Sequence, residues 1–233
     1  MGNILLKFFR GEITAMNQPQ VKTITRAVLL LAVFLFLSGC STAYYATMEK
    51  FGKEKRHILK DKVEDVQESQ EKAQEEFKDA LTKIKELYSF DGGELETFYN
   101  KLKDSYEDCD SRANEIEKRI NNVEQVAKDL FKEWGEEIAQ INDAKLKSSS
   151  TKSLRDARTK YKKLETVMNK STKGMYPVLT KLKDYVLYLK HNLNAKAIGS
   201  LSGEVVSIEK DVAKLITDMN ASIKEAENFI KNF

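Results

Sequence analysis

The chain has 233 residues, with 39 Lys or Arg against 36 Asp or Glu and a formal net charge of +3. Charged residues make up 32% and there are only two prolines, a profile that fits long helices and argues against a sheet-rich fold. Without residues 1–39 the remaining 194 carry 35 charges of each sign, so the basic excess lies in the leader and gives no case for nucleic-acid binding.

In the leader, Lys22 and Arg26 precede an unbroken apolar run from Ala27 to Leu37, and Leu37-Ser38-Gly39-Cys40 follows. A charged stretch, a short apolar stretch and small residues at a cut make a secretory signal peptide. Cysteine directly after the small residues makes it a lipobox, with cleavage between Gly39 and Cys40 and acyl chains, palmitate among them, on Cys40. An apolar run of 11 residues is too short to span a bilayer, which needs roughly 20. Ile4–Phe9 adds a second apolar patch ahead of the charged stretch, so the reading frame is expected to start at Met16. Met1-Gly2-Asn3 is not a myristoylation signal, because Leu6 stands where Ser or Thr is required. Residues 40–43 form a short lipidated tether and residues 44–233 a single domain.

That domain reads as four amphipathic segments. The first, about 44–88, places Leu59, Val66, Ala73, Ala80 and Leu87 seven apart, beside Val63, Gln70, Phe77 and Ile84. Asp91-Gly92-Gly93 ends it. The second, about 94–146, carries Leu95, Leu102, Cys109, Ile116, Val123 and Leu130 beside Tyr99, Tyr106, Ala113, Ile120, Ala127, Trp134 and Ile141. Cys109 thus sits on the seam as a small apolar residue, and Trp134 is expected in the core. Ser148-Ser149-Ser150-Thr151 is expected to break the helix, with Thr151 or Ser153 capping the next. The third segment, about 152–198, carries Leu154, Tyr161, Met168, Met175, Leu182 and Leu189 beside Ala157, Leu164, Ser171, Val178 and Tyr185. Gly174 and Pro177 predict a kink or interruption within it. Gly199 to Gly203 makes the last turn, and the fourth segment, about 204–231, carries Val205, Val212, Met219, Ala226, Ile208, Leu215 and Phe229. Short breaks between long helices predict an all-α, elongated, coiled-coil-like antiparallel bundle of three long helices and a shorter fourth.

Charge is uneven along these segments. Lys53, Lys55 and Arg56 in the first, with Arg155, Arg158, Lys162 and Lys163 in the third, form a candidate basic patch at the membrane-proximal end. Glu68, Glu71 and Glu75, facing Glu107, Asp108 and Glu115 across the first turn, form a candidate acidic belt for a cationic partner. Lys181, Lys183 and Lys190 are expected at the belt's height.

Signatures of catalysis were sought along the chain. There is no phosphate loop, dinucleotide fingerprint or nucleophile elbow, and His57 and His191 have no second His or Cys at ligand spacing. The expectation is a protein with no catalytic activity, no metal and no cofactor. Its function would be that of a periplasmic scaffold or interaction protein, partnered by membrane lipid through Cys40 and by a protein or itself. An adaptor for a periplasmic enzyme or transport complex, or a lipid-binding bundle, is the alternative.

Cys40-Ser41-Thr42-Ala43-Tyr44-Tyr45, then Met48-Glu49-Lys50-Phe51-Gly52, Lys55-Arg56, and Phe90-Asp91-Gly92-Gly93 with Leu95 and Tyr99 carry a likeness over nearly the whole mature chain. In these the chain resembles a Gram-negative lipoprotein family catalogued as domain of unknown function 2959. The resemblance implies an all-helical, coiled-coil-like lipoprotein and brings no activity or site residues. Asp after the lipidated Cys favours inner-membrane retention in such lipoproteins. Ser41 in that place implies the outer membrane, facing the periplasm.

Overall fold

Apolar residues recurring at seven-residue spacing give each helix one buried face, and four such faces close on each other. A computed structural model describes residues 54–86, 95–192, 194, 199–201 and 203–233. Its helices are α1 (Lys55–Lys85), α2 (Leu95–Gln140), α3 (Ala144–His191) and α4 (Val205–Asn232), with no strand among the described residues. Each packs on its neighbours in chain order and α4 closes on α1, which makes an antiparallel four-helix bundle with α1 diagonal to α3. Lys55 to Phe233 form one compact unit; the other, Met1–Glu54, is outside the described residues except for Glu54. The leader, Cys40 and Lys53 therefore lie outside the described residues, and no described helix is long and apolar enough to cross a membrane.

The expected seams form the core. Leu59, Val63, Val66, Ala73, Phe77, Ala80 and Ile84 of α1 are all buried, as is every seam position expected on α3 and α4. On α2 the seam drifts. Phe98 is buried while Leu95 and Tyr99 are half-buried, and at the other end Phe131 and Ile138 are buried while Leu130 is not. A helix of 3.6 residues per turn advances its face by a fraction of a residue in each heptad, which over six heptads amounts to a whole position.

Three boundaries differ from expectation. Glu54 is outside the helix, so α1 begins at Lys55 and has 31 residues, against 46 for α2 and 48 for α3. The turn between α2 and α3 is Ile141-Asn142-Asp143, and the serine run lies inside α3. Asp143 caps α3, its Oδ1 accepting from the amides of Lys145 (2.9 Å) and Leu146 (2.8 Å). A short side-chain oxygen at the N-cap satisfies orphan amides, whereas serine within a helix is only mildly unfavourable, so the cap decided the boundary. Finally, α3 runs unbroken through Pro177, which is exposed. Its missing amide lies on the solvent side, where the freed carbonyl can meet water.

Among the described residues, only α2 and α3 continue beyond Arg56 and Phe233, meeting through Trp134 Nε1 donating to Ser150 Oγ (3.1 Å) and Lys147 Nζ to the Ala139 carbonyl (3.1 Å). Several seam positions there are polar (Glu137, Lys147, Ser150), while Ile138 stays buried.

Candidate interaction surface

The end of the four-helix section is closed by rings. Phe131, Tyr161, Phe229 and Phe233 form edge and stacked contacts with centroids 4.5–6.3 Å apart. The Arg56 guanidinium lies 5.2 Å from the Trp134 ring and 5.0 Å from that of Phe233. Lys55 reaches Glu133 at 2.7 Å, with only 14% of its side chain exposed. These two members of the expected basic patch therefore act as closure between α1 and α2 rather than as free charge. Trp134 is half-buried here, at the edge of the core it was expected to enter.

The other four patch residues come together on the outside of α3. Arg155, Arg158, Lys162 and Lys163 line an open groove of about 540 Å³ with Thr151, Thr159 and Thr166, floored by Leu154. Arg158 also donates to the Phe131 carbonyl at 3.1 Å and sits 5.9 Å from its ring. Lys163 reaches Glu225 of α4 at 2.7 Å, and Lys162 bonds Glu165, whose carboxylate raises the lysine pKa. Arg155 and Lys162 stay 74% and 76% exposed.

The acidic belt divides similarly. Asp61, Glu64, Asp65, Glu68 and Glu71 of α1 join Glu227 of α4 along a groove of about 630 Å³. Glu75 is one turn further on α1 and pairs with Lys78 at 2.8 Å. As expected, α1 faces α2 at this height, but through ion pairs. Arg119 spans Asp65 (3.6 Å) and Glu115 (2.7 Å), while Arg112 spans Glu76 (3.7 Å) and Glu115 (3.1 Å). The Arg119 hydrogen bond, with a further one from Arg112, holds the Glu115 carboxyl below its usual range. Glu115 is thus a seam residue, and Glu107 is paired with Lys103 at 3.3 Å. Asp108 is exposed on α2. The cation at the belt's height is not Lys181, which binds Asp211 near the opposite end. It is Lys170, bound to the buried Asp218 at 2.7 Å.

The core holds a polar layer that was only partly legible. Gln70 was visible as the one polar seam residue of α1, and its Nε2 crosses the diagonal to Ser171 Oγ at 2.7 Å. Ser171 in turn donates to the Met168 carbonyl at 2.8 Å. Gln74 donates to Asn220 of α4 at 3.0 Å. Gln70 Oε1 and Ser222 Oγ are buried without a hydrogen-bond partner. Ser222 could have been found, because it lies seven residues after Leu215 and seven before Phe229.

Cys109 is fully buried, and burial first, then nearby Glu76 and Asp108, pushes its thiol up to about 12. His57 at the start of α1 and His191 at the end of α3 lie at opposite ends of the bundle. Among the described residues no three His, Cys, Asp or Glu are placed to hold a metal ion. The arrangement can bind by charge along its outer faces.

No curated protein and no solved structure matches the chain. Residues 44–233, the four heptad segments and the turns between them, match the family described as Protein of unknown function (DUF2959), and the chain belongs to that family.

Proposed function

We propose that this protein is a lipid-anchored scaffold of the Gram-negative cell envelope, held at the outer membrane facing the periplasm, that works by contact and catalyses nothing. The observation that carries the reading is Leu37-Ser38-Gly39-Cys40 placed directly after the apolar run and 15 residues before α1. Acylation there contributes roughly 0.8 kcal/mol per buried CH₂, and two chains already make a stable anchor. An extended tether of that length reaches about 50 Å at most, so the bundle works close to lipid. Four helices joined by ion pairs along three seams and by hydrogen bonds such as Asn169 Nδ2 to Glu124 (3.1 Å) along the fourth, with a thiol too basic to act as a nucleophile, support a role in contact rather than chemistry.

Metabolic labelling with an alkyne-tagged palmitate tests this. The wild-type chain should carry label, lose residues 1–39 and sediment with outer membranes. Cys40→Ser should be unlabelled and released from them. Label retained by Cys40→Ser would overturn the anchor. A second reading, an adaptor for a periplasmic enzyme or transport complex, is favoured by the carboxylates gathered between α1 and α4. Photoreactive residues at Glu68 and Glu107 in intact cells would then give one abundant adduct with another protein.

A further inference from the structure

We infer that the cationic row of α3 is a docking site for a second copy of this chain, which it meets on the acidic outer face of α1. This names the partner for the scaffold reading and rests on that reading for action by contact and for confinement of the copies on one membrane.

Both surfaces are on one molecule, yet no molecule can join them internally. The row Arg155, Arg158, Lys162 follows i, i+3, i+7 along the groove outside α3. Asp61, Glu64 and Glu68 follow the same i, i+3, i+7 along the groove beside α1, which Lys231 also lines and where Lys72 reaches Glu68 at 2.6 Å. Each ladder therefore rises one helical turn, about 5.4 Å, per charge, and the two match rung for rung (Arg155 to Asp61, Arg158 to Glu64, Lys162 to Glu68) when one copy is displaced by a heptad along the axis, since Gln70 and Ser171 set Asp61 level with Lys162. Because α1 and α3 are diagonal in the bundle, the two faces point away from each other. Like charges three and four residues apart weaken an isolated helix; Glu165 beside Lys162 and Lys72 beside Glu68 offset part of that repulsion, and an opposite ladder would relieve the rest.

Internal pairing does not use up the row. Helix α3 carries thirteen Lys or Arg against three Asp or Glu. Lys163 and Lys170 are turned to α4, Arg158 holds the Phe131 carbonyl, and Lys162 bonds Glu165 yet stays exposed, whereas Arg155 has only its neighbour Asp156, at 3.9 Å, and points to solvent. A contact between two different faces is heterologous, so every bound copy leaves one ladder free for the next, giving a ring or an open row. Such a contact is screened by salt and is weak in dilute solution. Confinement of many copies on one membrane raises their effective concentration to the range where it forms.

The test uses full-length chains with two different tags, co-expressed in a Gram-negative host and extracted in mild detergent at low salt. One copy carries Lys162→Cys and the other Glu68→Cys, the two positions that the matched ladders set opposite each other. A mixed disulfide of twice the chain mass is expected, and neither variant alone, nor the chain without added cysteines, should give it. In the second arm, R155E/K162E and E68K/E71K should each lower recovery of the differently tagged copy at least tenfold. All four changes in one chain should restore it. The exposure of these side chains leaves the helix content by circular dichroism unchanged. Absence of the mixed disulfide, or recovery indifferent to both reversals, overturns the proposal. So does a different pattern, in which only R155E/K162E has an effect and it abolishes binding to phosphatidylglycerol vesicles; the row would then belong to lipid. Palmitate labelling of Cys40 is untouched by these variants, so failure here is distinct from failure of the anchor.

Discussion

At Cys109 the side chain sits where a seam needs a small apolar group, and the surroundings make it chemically silent. Burial and the carboxylates of Glu76 and Asp108 raise its pKa from 9.0 to about 12. Below pH 9 the thiol is protonated in folded and unfolded chains alike, and the stability it contributes is fully present. As pH rises from 9 towards 12 the unfolded chain releases its proton while the folded chain keeps it, so stability falls, by up to about 1.4 kcal/mol per pH unit. Tyr185 adds to this, raised from 10.0 to about 12 mainly by burial. The urea midpoint should therefore drop steeply above pH 9, and Cys109→Ala should flatten the early part of that drop. At pH 8 the thiol should react with a disulfide reagent only as fast as the bundle unfolds. The layer around Gln70 makes the opposite kind of prediction. Ser171→Ala strands the Gln70 amide and should cost about 1–2 kcal/mol, whereas Gln70→Leu with Ser171→Ala removes both partners and should restore or exceed wild-type stability. Urea unfolding of the two variants decides it, and a more stable double variant would show that the diagonal bond serves register rather than stability.

Helix boundaries show where sequence reading stops. The seam positions expected on α3 and α4, and the described ones expected on α1, are all buried, because burial follows the apolar stripe whatever the ends do; Leu87 lies outside the described residues, and Ser222 and the flanking Ile58, Leu179 and Val186 were not expected. Ends depend on caps, and the expected boundary followed the serine run whereas Asp143 sets it. The basic patch and the acidic belt were visible as runs of charge. Which members would be absorbed was not, since Lys55, Arg56 and Glu115 are consumed by groups on other helices, through Glu133, Trp134 with Phe233, and Arg119. Asp143 gives a test at this scale. Asp143→Ala removes the acceptor for two amides and should cost the first turn of α3 about 1 kcal/mol. No described residue of α1 or α4 packs at that turn, so the loss should appear as faster amide exchange over residues 144–150 with the global midpoint nearly unchanged. An equal drop of the global midpoint would show that the turn belongs to the cooperative unit.

At the scale of the whole bundle, four similar apolar stripes cannot by themselves choose one register. Sliding α4 against α3 by a heptad would bury much the same apolar surface, so the choice has to come from the polar edges of the seam. Those edges hold a ladder in which Lys163 meets Glu225 and, seven residues on, Lys170 meets Asp218 seven residues back. The next rung falls at Pro177, which carries no charge, and the ladder resumes with Lys181 and Asp211. A heptad slip one way sets Asp218 against Pro177 and leaves that buried carboxylate without a cation, and a slip the other way gives it Lys163 but brings Glu225 against Asp156. An unpaired buried carboxylate costs more than the pair contributes, so the ladder acts chiefly by penalising the wrong registers. Lys170→Glu should then lower stability by about 1–3 kcal/mol in urea, and the exchange K170D/D218K should recover most of that loss by restoring opposite charges across the same seam. If the exchange is as damaging as the single change, the position matters through packing, and register must be set by the Gln70 layer alone.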